Sequence, residues 1–539
     1  MTATLPKTLI DIPKDKGIHI KTAGKKAEKY VYKYTKHYRN QNGQPRSKAK
    51  NIGKYDPKTN KMQPNNNYYQ LYPTQQTQPK PTTIYDYGYT YLIQKISQQI
   101  GLTDTLTQTF GEKQAQEILT IVAYMIKEGT TMDTIDDWQQ RNHTNLTRTL
   151  TSAACSTLFA NQTPAQRHEF FKHWIKKSLT NSTVYYDVTP ISYYSQNLMS
   201  VEHYYNNYHE NLNQFNLGMF CDEQTKLPLY YNRYNGNLTD KTNLSYVLAN
   251  AKNIGIERVK LVLDERFWSE EDLKTLRSCC AAFTLRMPPS LKLSQQLLVT
   301  HRSEVESYTH ELELYPHLYG ISVDTVVCGV EGRVLLFYDA LSHVKLCEDL
   351  SAYIEDLKVE LAGLKHYPTK NLSRYEPYFV LTRHVGDLEF DYAVDTQKVE
   401  LLRAMKGYFL LFSTDMLSSL SDVLYYYRAK DVDEGLFTQI GVDLSCGRVC
   451  VHSEEIIEGK VFVVFVACVL RSYLLSRLAG FLSVNCLSLR KALNLLSNIV
   501  IMSCGGDEFR FVWALSEKQK KILSVFGVED DIVGSLEGL

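Results

Sequence analysis

Hydrophobic and polar positions change rhythm several times along this chain. Over residues 18 to 55 the period is short: Tyr30, Tyr32 and Tyr34 alternate with Val31, Lys33 and Thr35, and Asn42-Gly43 separates two runs. That pattern predicts short strands joined by a turn. From Asn60 to Thr83 the chain turns to Asn, Gln, Pro and Thr, with too few aliphatic residues to close a core, and reads as a linker. Residues 90 to 180 take helical spacing, as in Ala115, Ile118, Leu119, Val122 and Ile126, and end in the basic stretch Lys172 to Lys177.

At Thr183 the pattern switches to strands at Val184 to Ile191, Gln214 to Phe220 and Leu227 to Tyr234. A helix follows, with Leu244, Val247, Leu248 and Ala251 on one face, and then an apolar strand from Val259 to Leu263. Three strands, a helix and another strand make an α/β unit. Residues 290 to 422 are strand-rich again, for example Thr325 to Val330, Arg333 to Tyr338 and Tyr408 to Phe412. From Val423 helices dominate, with one further strand expected at Arg510 to Ala514. The longest apolar run, Val461 to Leu470, is half the length that spans a bilayer and reads as a buried core element.

The net charge of +1 conceals a strong asymmetry. Residues 1 to 61 hold 16 Lys and Arg against 4 Asp and Glu, a surplus of +12, which leaves about −11 for the remainder. Lys25, Lys26, Lys29, Lys33, Lys36 and Arg39 interleave with tyrosines there, a combination suited to phosphate contacts and ring contacts on DNA; a solvated strand face has the same composition. The eleven cysteines, scattered from Cys155 to Cys504, lack the repeated spacing of a disulfide framework. Cys446, Cys450 and His452 lack the second pair that a structural zinc site uses. Reduced thiols and the absence of an apolar leader point to a cytoplasmic, nucleoid-associated protein without a membrane partner.

Three places carry chemistry. Asp187 sits in the otherwise apolar strand Val184 to Thr189, where an ionised carboxylate is costly unless it is paired or binds a metal. Asp264 ends the apolar run from Val259, where α/β sheets often present functional groups, although an Asp there also caps a following helix. Tyr427, Lys430 and Glu434 fall at i, i+3 and i+7 of a helical stretch; an ordinary Lys–Glu pair on a solvated face reads the same way.

These blocks, in this order, resemble the DDE transposases of bacterial insertion sequences, in particular the insertion-sequence-four superfamily with a β-rich insertion before the last catalytic residue. Asp187 matches the family's Tyr-Asp-Val-Thr strand, and Asp264 with Phe267 its second strand. Tyr427, Lys430 and Glu434 match its Tyr–Arg–Glu helix, with Lys in place of Arg. Gln214 to Gly218, Leu227-Pro228-Leu229, Gly236 to Asp240, Arg448 to His452, Glu454-Glu455-Ile456 and Gly459 are similar landmarks. Two positions depart from the pattern: Arg266 stands where the family has Gly, and Gly441 where it has Lys.

The resemblance implies an α/β fold with a ribonuclease H-like catalytic core. Its layout would be a basic, strand-rich DNA-binding segment (1–60), a linker (61–84), a helical domain that also binds DNA (85–180), a core in two parts (181–289 and 423–480) around a β-rich insertion (290–422), and a C-terminal helical region (481–539). It implies that Asp187, Asp264 and Glu434 hold two Mg²⁺ or Mn²⁺ ions, and that Tyr427, Arg428 and Lys430 contact DNA. The activity would be cleavage at transposon terminal inverted repeats and strand transfer into target DNA, by a homodimer in a synaptic complex. Two alternatives are a nuclease of the same fold that does not join ends, and a decayed transposase that only binds DNA.

Overall fold

The computed structural model describes residues 9–23, 28–40, 43–72, 83–180, 183–193, 204–205, 211–235, 240–364, 366–369, 371–383, 390–429, 453–503 and 509–538. The chain divides into two compact units, one of residues 1–83 with 502–510 and 539, the other of 84–501 with 511–538.

The first unit is built on an antiparallel sheet in the order β1 (Ile18–Ala23), β2 (Glu28–Arg39), β3 (Pro45–Asp56), β4 (Lys61–Pro64). Alternation turns Val31 and Ile52 into its core, where they meet Met62 and Tyr68. The stretch read as a linker therefore folds as far as Tyr72. Met62 comes from β4 and Tyr68 from the helix Asn66–Leu71, which Asn65 caps by accepting from the Asn67 and Tyr68 backbone N–H groups. The expectation failed because it counted aliphatic residues. Here the apolar area is aromatic, with the rings of Tyr69 and Tyr72 packed against Tyr68.

In the second unit, β5 (Thr83–Asp86) precedes six helices: Gly88–Gln99, Leu102–Phe110, Glu112–Glu128, Ile135–Arg141, Ser152–Ala160 and Pro164–Ser178. They pack around the 32-residue helix Glu454–Asn485. That helix is long and apolar enough to cross a membrane, but 72% of its most apolar window is buried inside the protein. Phe462 meets the rings of Phe110, Phe170 and Phe171, and Phe465 meets Phe171 and Tyr231, so an aromatic layer joins the helices to the sheet. Arg233 reinforces the joint through Glu454 and Glu458, at 2.5 and 2.6 Å.

Close approach at this joint requires glycine. A Cβ on Gly459 would lie 2.0 Å from the backbone oxygen of Phe159, in the helix Ser152–Ala160. Gly459→Ala is expected to lower stability by about 1–3 kcal/mol, the usual cost of overpacking. A urea melt should show the midpoint fall with an unchanged slope; an unshifted midpoint would mean that the two helices separate freely.

The mixed α/β part is a ten-stranded sheet. Its strands are β6 (Thr183–Tyr193), β7 (Tyr204–Tyr205), β8 (Asn211–Asp222), β9 (Pro228–Asn235), β10 (Lys260–Leu263), β11 (Ala282–Arg286), β12 (Glu311–Leu312), β13 (Tyr315–Val327), β14 (Val330–Asp339) and β17 (Tyr408–Ser413). They lie in the order β12-β13-β14-β17-β11-β10-β6-β8-β7, with β9 also pairing β8. β8 runs antiparallel to both β6 and β9, whereas β10 runs parallel to β6 and β11 parallel to β10. The parallel pairs are possible because the helices Asp240–Asn253 and Glu270–Cys279 provide the crossovers.

Residues 290–422 contribute β12, β13, β14 and β17 to this same sheet, together with the helices Lys292–Val305 and Ala340–Gly363 and a hairpin of β15 (Phe379–Arg383) and β16 (Phe390–Val394). The turn between β13 and β14 falls at Cys328-Gly329, both left-handed, so Val330 opens β14 instead of closing the strand before it. Toward the C-terminus, β18 (Val500–Ser503) was not foreseen, and the strand expected at Arg510 to Ala514 is β19 (Phe509–Phe511).

Candidate active site

Asp187 and Asp264 come together because of strand register. β10 pairs β6 in parallel through Lys260↔Thr183, Leu261↔Val184 and Val262↔Tyr185. Continued by two residues, the same register sets Asp264 beside Asp187 on one face of the sheet. Asp187 is 4% exposed, among Tyr185, Tyr186 and Val188.

Local packing explains the spacing of the surrounding residues. The Tyr186 ring lies over Gly218 of β8, where a Cβ would be 2.1 Å from its hydroxyl, and packs on Phe220 and Phe267. Phe267 ends the short 3₁₀ turn Glu265–Phe267, so its burial pulls the turn back over β6 and holds Asp264 at the strand end. Asp264 accepts from the Glu265 backbone N–H at the head of this turn. It thereby caps the 3₁₀ turn, while Ser269 caps the α-helix Glu270–Cys279, accepting from the Asp272 N–H.

Arg266 sits between the two acids. Its Nη2 donates to Asp187 Oδ1 at 2.8 Å, its Nε to Asp264 Oδ2 at 3.3 Å, and its Nη1 to the Val188 carbonyl at 3.1 Å. The one guanidinium is shared by both carboxylates, and its side chain is 39% exposed. From the sequence Arg266 was only a departure from a pattern; the fold makes it the partner of both acids.

A second cation was missed. Arg286 ends β11 and lies 3.6 Å from Glu265, with Tyr427 and Asp264 close enough to act on its charge. Burial opposes its charge, but Tyr427, Glu265 and Asp264 more than offset this and raise its pKa. Tyr427 itself is 5% exposed, in a helix over residues 420–429. Arg428, proposed beside it for DNA, points to β13 and β14, pairing with Asp339 at 3.3 Å and stacking over Tyr315. Lys430 and Glu434, with Asp431, Asp433, Gly441 and the Cys446–Cys450–His452 group, lie outside the described residues.

Two other buried acids are structural. Asp222 accepts from Thr180, Gln224 and Thr225 in the turn after β8. For Asp415, burial alone would raise the pKa, but Lys260 at 2.7 Å, Ser418 and the backbone N–H groups of Leu417 and Ser418 hold it down to about 2. Lys260 begins β10, so this pair sits at the opposite end of the strand from Asp264. Among the described residues no group of three or more His, Cys, Asp and Glu is gathered to hold a metal.

Of the basic residues near the N-terminus, Lys29, Lys36 and Arg39 are exposed on β2, and Lys33 pairs with Asp15 at 3.1 Å. Lys25 and Lys26 lie outside the described residues.

No protein-family model and no curated protein matches the chain. Among solved structures it is similar to a piggyBac transposase, seen by cryo-EM in a synaptic complex with hairpin DNA. The match has 11% sequence identity, covers 72% of this chain and 70% of that one, and has a TM-score of 0.36. A likeness of that degree leaves the chemistry of this chain to be argued from its own residues.

Proposed function

We propose that this chain is a DDE-type DNA transposase, of the kind its sequence resembles in bacterial insertion sequences. One observation carries the reading: Asp187 on β6 and Asp264, just past the end of the adjacent parallel strand β10, share a single cation. The strand order β9-β8-β6-β10-β11, three antiparallel strands followed by two parallel to the first, supports a ribonuclease H-like core.

The donor set suits hard divalent cations. Two carboxylates already turned toward one positive charge are oxygen ligands of the right kind for Mg²⁺ or Mn²⁺, with Glu434 as the third. Bound there, two such ions would activate the attacking oxygen, water or a DNA 3′-hydroxyl, and stabilise the leaving oxygen. Asp187 and Asp264, fixed on a sheet, orient the site. Arg286 and Tyr427, with Lys430, hold a backbone phosphate beside it; Arg286 has the planar fork that Lys430 lacks. Terminal inverted repeats and target DNA are the substrates, and a homodimer brings two ends together.

Arg266 favours a second reading, a decayed transposase that binds DNA without cutting, because its guanidinium stands where a shared ion would. A DNA-joining assay tests the first. Incubated with the DNA flanking its own gene and Mn²⁺, the protein is expected to give joined products; free ends alone would indicate a nuclease.

Glu434→Gln keeps shape and hydrogen bonding but removes the charge, so cleavage is expected to disappear while DNA affinity stays within about twofold, as expected when a change spares phosphate contacts. Asp431→Asn and Asp433→Asn should still cut. Normal cutting by Glu434→Gln with none by Asp431→Asn would move the third carboxylate by one helical turn.

A further inference from the structure

The outer halves of β2 and β3 form a two-stranded ribbon with no strand on either side among the described residues. β1 pairs β2 only from Glu28 to Lys33, and β4 pairs β3 only from Gly53 to Asp56. Beyond those limits Thr35 to Arg39 and Pro45 to Lys50 are exposed at every position. The tip is closed by the Asn40 and Gly43 backbone hydrogen bonds and by Arg39 donating to the Gly43 carbonyl at 3.1 Å.

Charge on this ribbon has one sign. Between Glu28 and Asp56 there are eight Lys and Arg and no Asp or Glu. Lys36 pairs directly across from Lys48, and Tyr38 from Arg46. Alternation along β3 adds Lys50 to the same face, which thus presents Lys36, Arg46, Lys48 and Lys50 around the half-exposed ring of Tyr38. None of these four cations makes an ion pair with a described residue. The opposite face is occupied with itself: His37 Nδ1 lies 2.7 Å from Ser47 Oγ, and the His37 ring stacks on Tyr34. An isolated hairpin is marginal in water, and like charges placed directly across a ladder weaken it further. A sequence that concentrates cations there suits a polyanion partner.

We infer that this ribbon enters the major groove of duplex DNA, with Lys36, Arg46, Lys48 and Lys50 on the flanking phosphates and Tyr38 toward the base edges. The major groove is about 12 Å wide and about 8.5 Å deep and admits a two-stranded ribbon. Five residues beyond the body of the sheet reach roughly 17 Å at about 3.3 Å each, enough to cross that depth. An extra residue at Thr35, where the register with β3 shifts, strengthens the right-handed twist with which a ribbon follows a groove. The inference deepens the proposed function and rests on DNA being its substrate.

The test uses the full chain and a mixed-sequence duplex, with affinity followed by fluorescence anisotropy across a salt series. Substituting Lys36, Arg46, Lys48 and Lys50 together by Gln should reduce the slope of log affinity against log salt by about 3.6, at roughly 0.9 for each of the four phosphate contacts. Lys36→Arg with Lys48→Arg and Lys50→Arg should keep the slope, which separates lost charge from a damaged fold. Methylation of guanine N7, in the major groove, should interfere with binding by the natural protein and not by the Gln variant.

An unchanged slope, or interference only from adenine N3 in the minor groove, overturns the inference. Metal-dependent cleavage, measured in parallel, keeps the two readings apart. Cutting with an unchanged slope removes the ribbon alone, and a ribbon-dependent slope without cutting removes the catalytic reading alone.

Discussion

Asp187→Ala is expected to abolish metal-dependent cleavage of DNA while leaving the protein folded and bound to its substrate. The carboxylate is 4% exposed, on a strand packed through Tyr186, Phe220 and Phe267. If it shares divalent ions with Asp264, its loss removes several kcal/mol of transition-state stabilisation, a rate loss on the order of 10³-fold or more at about 1.4 kcal/mol per tenfold. Folding should suffer little, because the partner left behind, Arg266, is 39% exposed and keeps Asp264 as well as the Val188 carbonyl. Thermal melting and anisotropy on duplex DNA check the two halves of this expectation. Retained cleavage in a folded Asp187→Ala protein would end the assignment of this site.

Arg266→Gly is expected to tighten Mn²⁺ binding by about ten- to a hundredfold. A guanidinium 2.8 Å from Asp187 and 3.3 Å from Asp264 competes with any ion those oxygens hold. At an effective dielectric of about 20, two unit charges at about 4 Å interact by roughly 4 kcal/mol; partial exposure of Arg266 brings the net effect to about 1–3 kcal/mol. Titration calorimetry or Mn²⁺ electron paramagnetic resonance reads it directly. Melting gives an independent sign: without metal the variant should be less stable than the natural protein, since the cation that both carboxylates share is gone, and Mn²⁺ should restore it more strongly. Weaker binding would instead make Arg266 a residue that positions the acids for the ion. Unchanged binding together with no cutting by either protein would favour the decayed reading.

Periodicity located most of the elements, because strands and helices impose their repeat on the sequence wherever one face is buried: β6, β8, β9 and β10 lie where alternating or apolar runs predict them. It failed in the stretch after Asn60. There Met62 and Tyr68 close a small core within an Asn- and Gln-rich composition, and aromatic area did the work expected of aliphatic residues. It also misplaced the boundary between β13 and β14, since a tight turn at Cys328-Gly329 leaves almost no polar gap.

Among the candidate site residues, Asp187 and Asp264 were legible because a carboxylate within or at the end of an apolar run stands out, whereas Tyr427 came from its helical spacing and from the order of the motifs. Arg266 and Arg286 were not legible as partners of these residues. An arginine at the end of a strand is ordinary in one dimension, and what it meets depends on which strands lie side by side. The sequence by itself determined the elements, the charge asymmetry and the two acids, all of which follow from local period and residue type. Only the tertiary structure decided that Arg266 joins Asp187 to Asp264 and that Arg286 meets Tyr427. It also decided that residues 290–422 extend the sheet that carries the acids and that β2 and β3 run on together past the strands that flank them. The physical reason is that strand order and register are set by packing between residues far apart in the chain, and no local repeat encodes them.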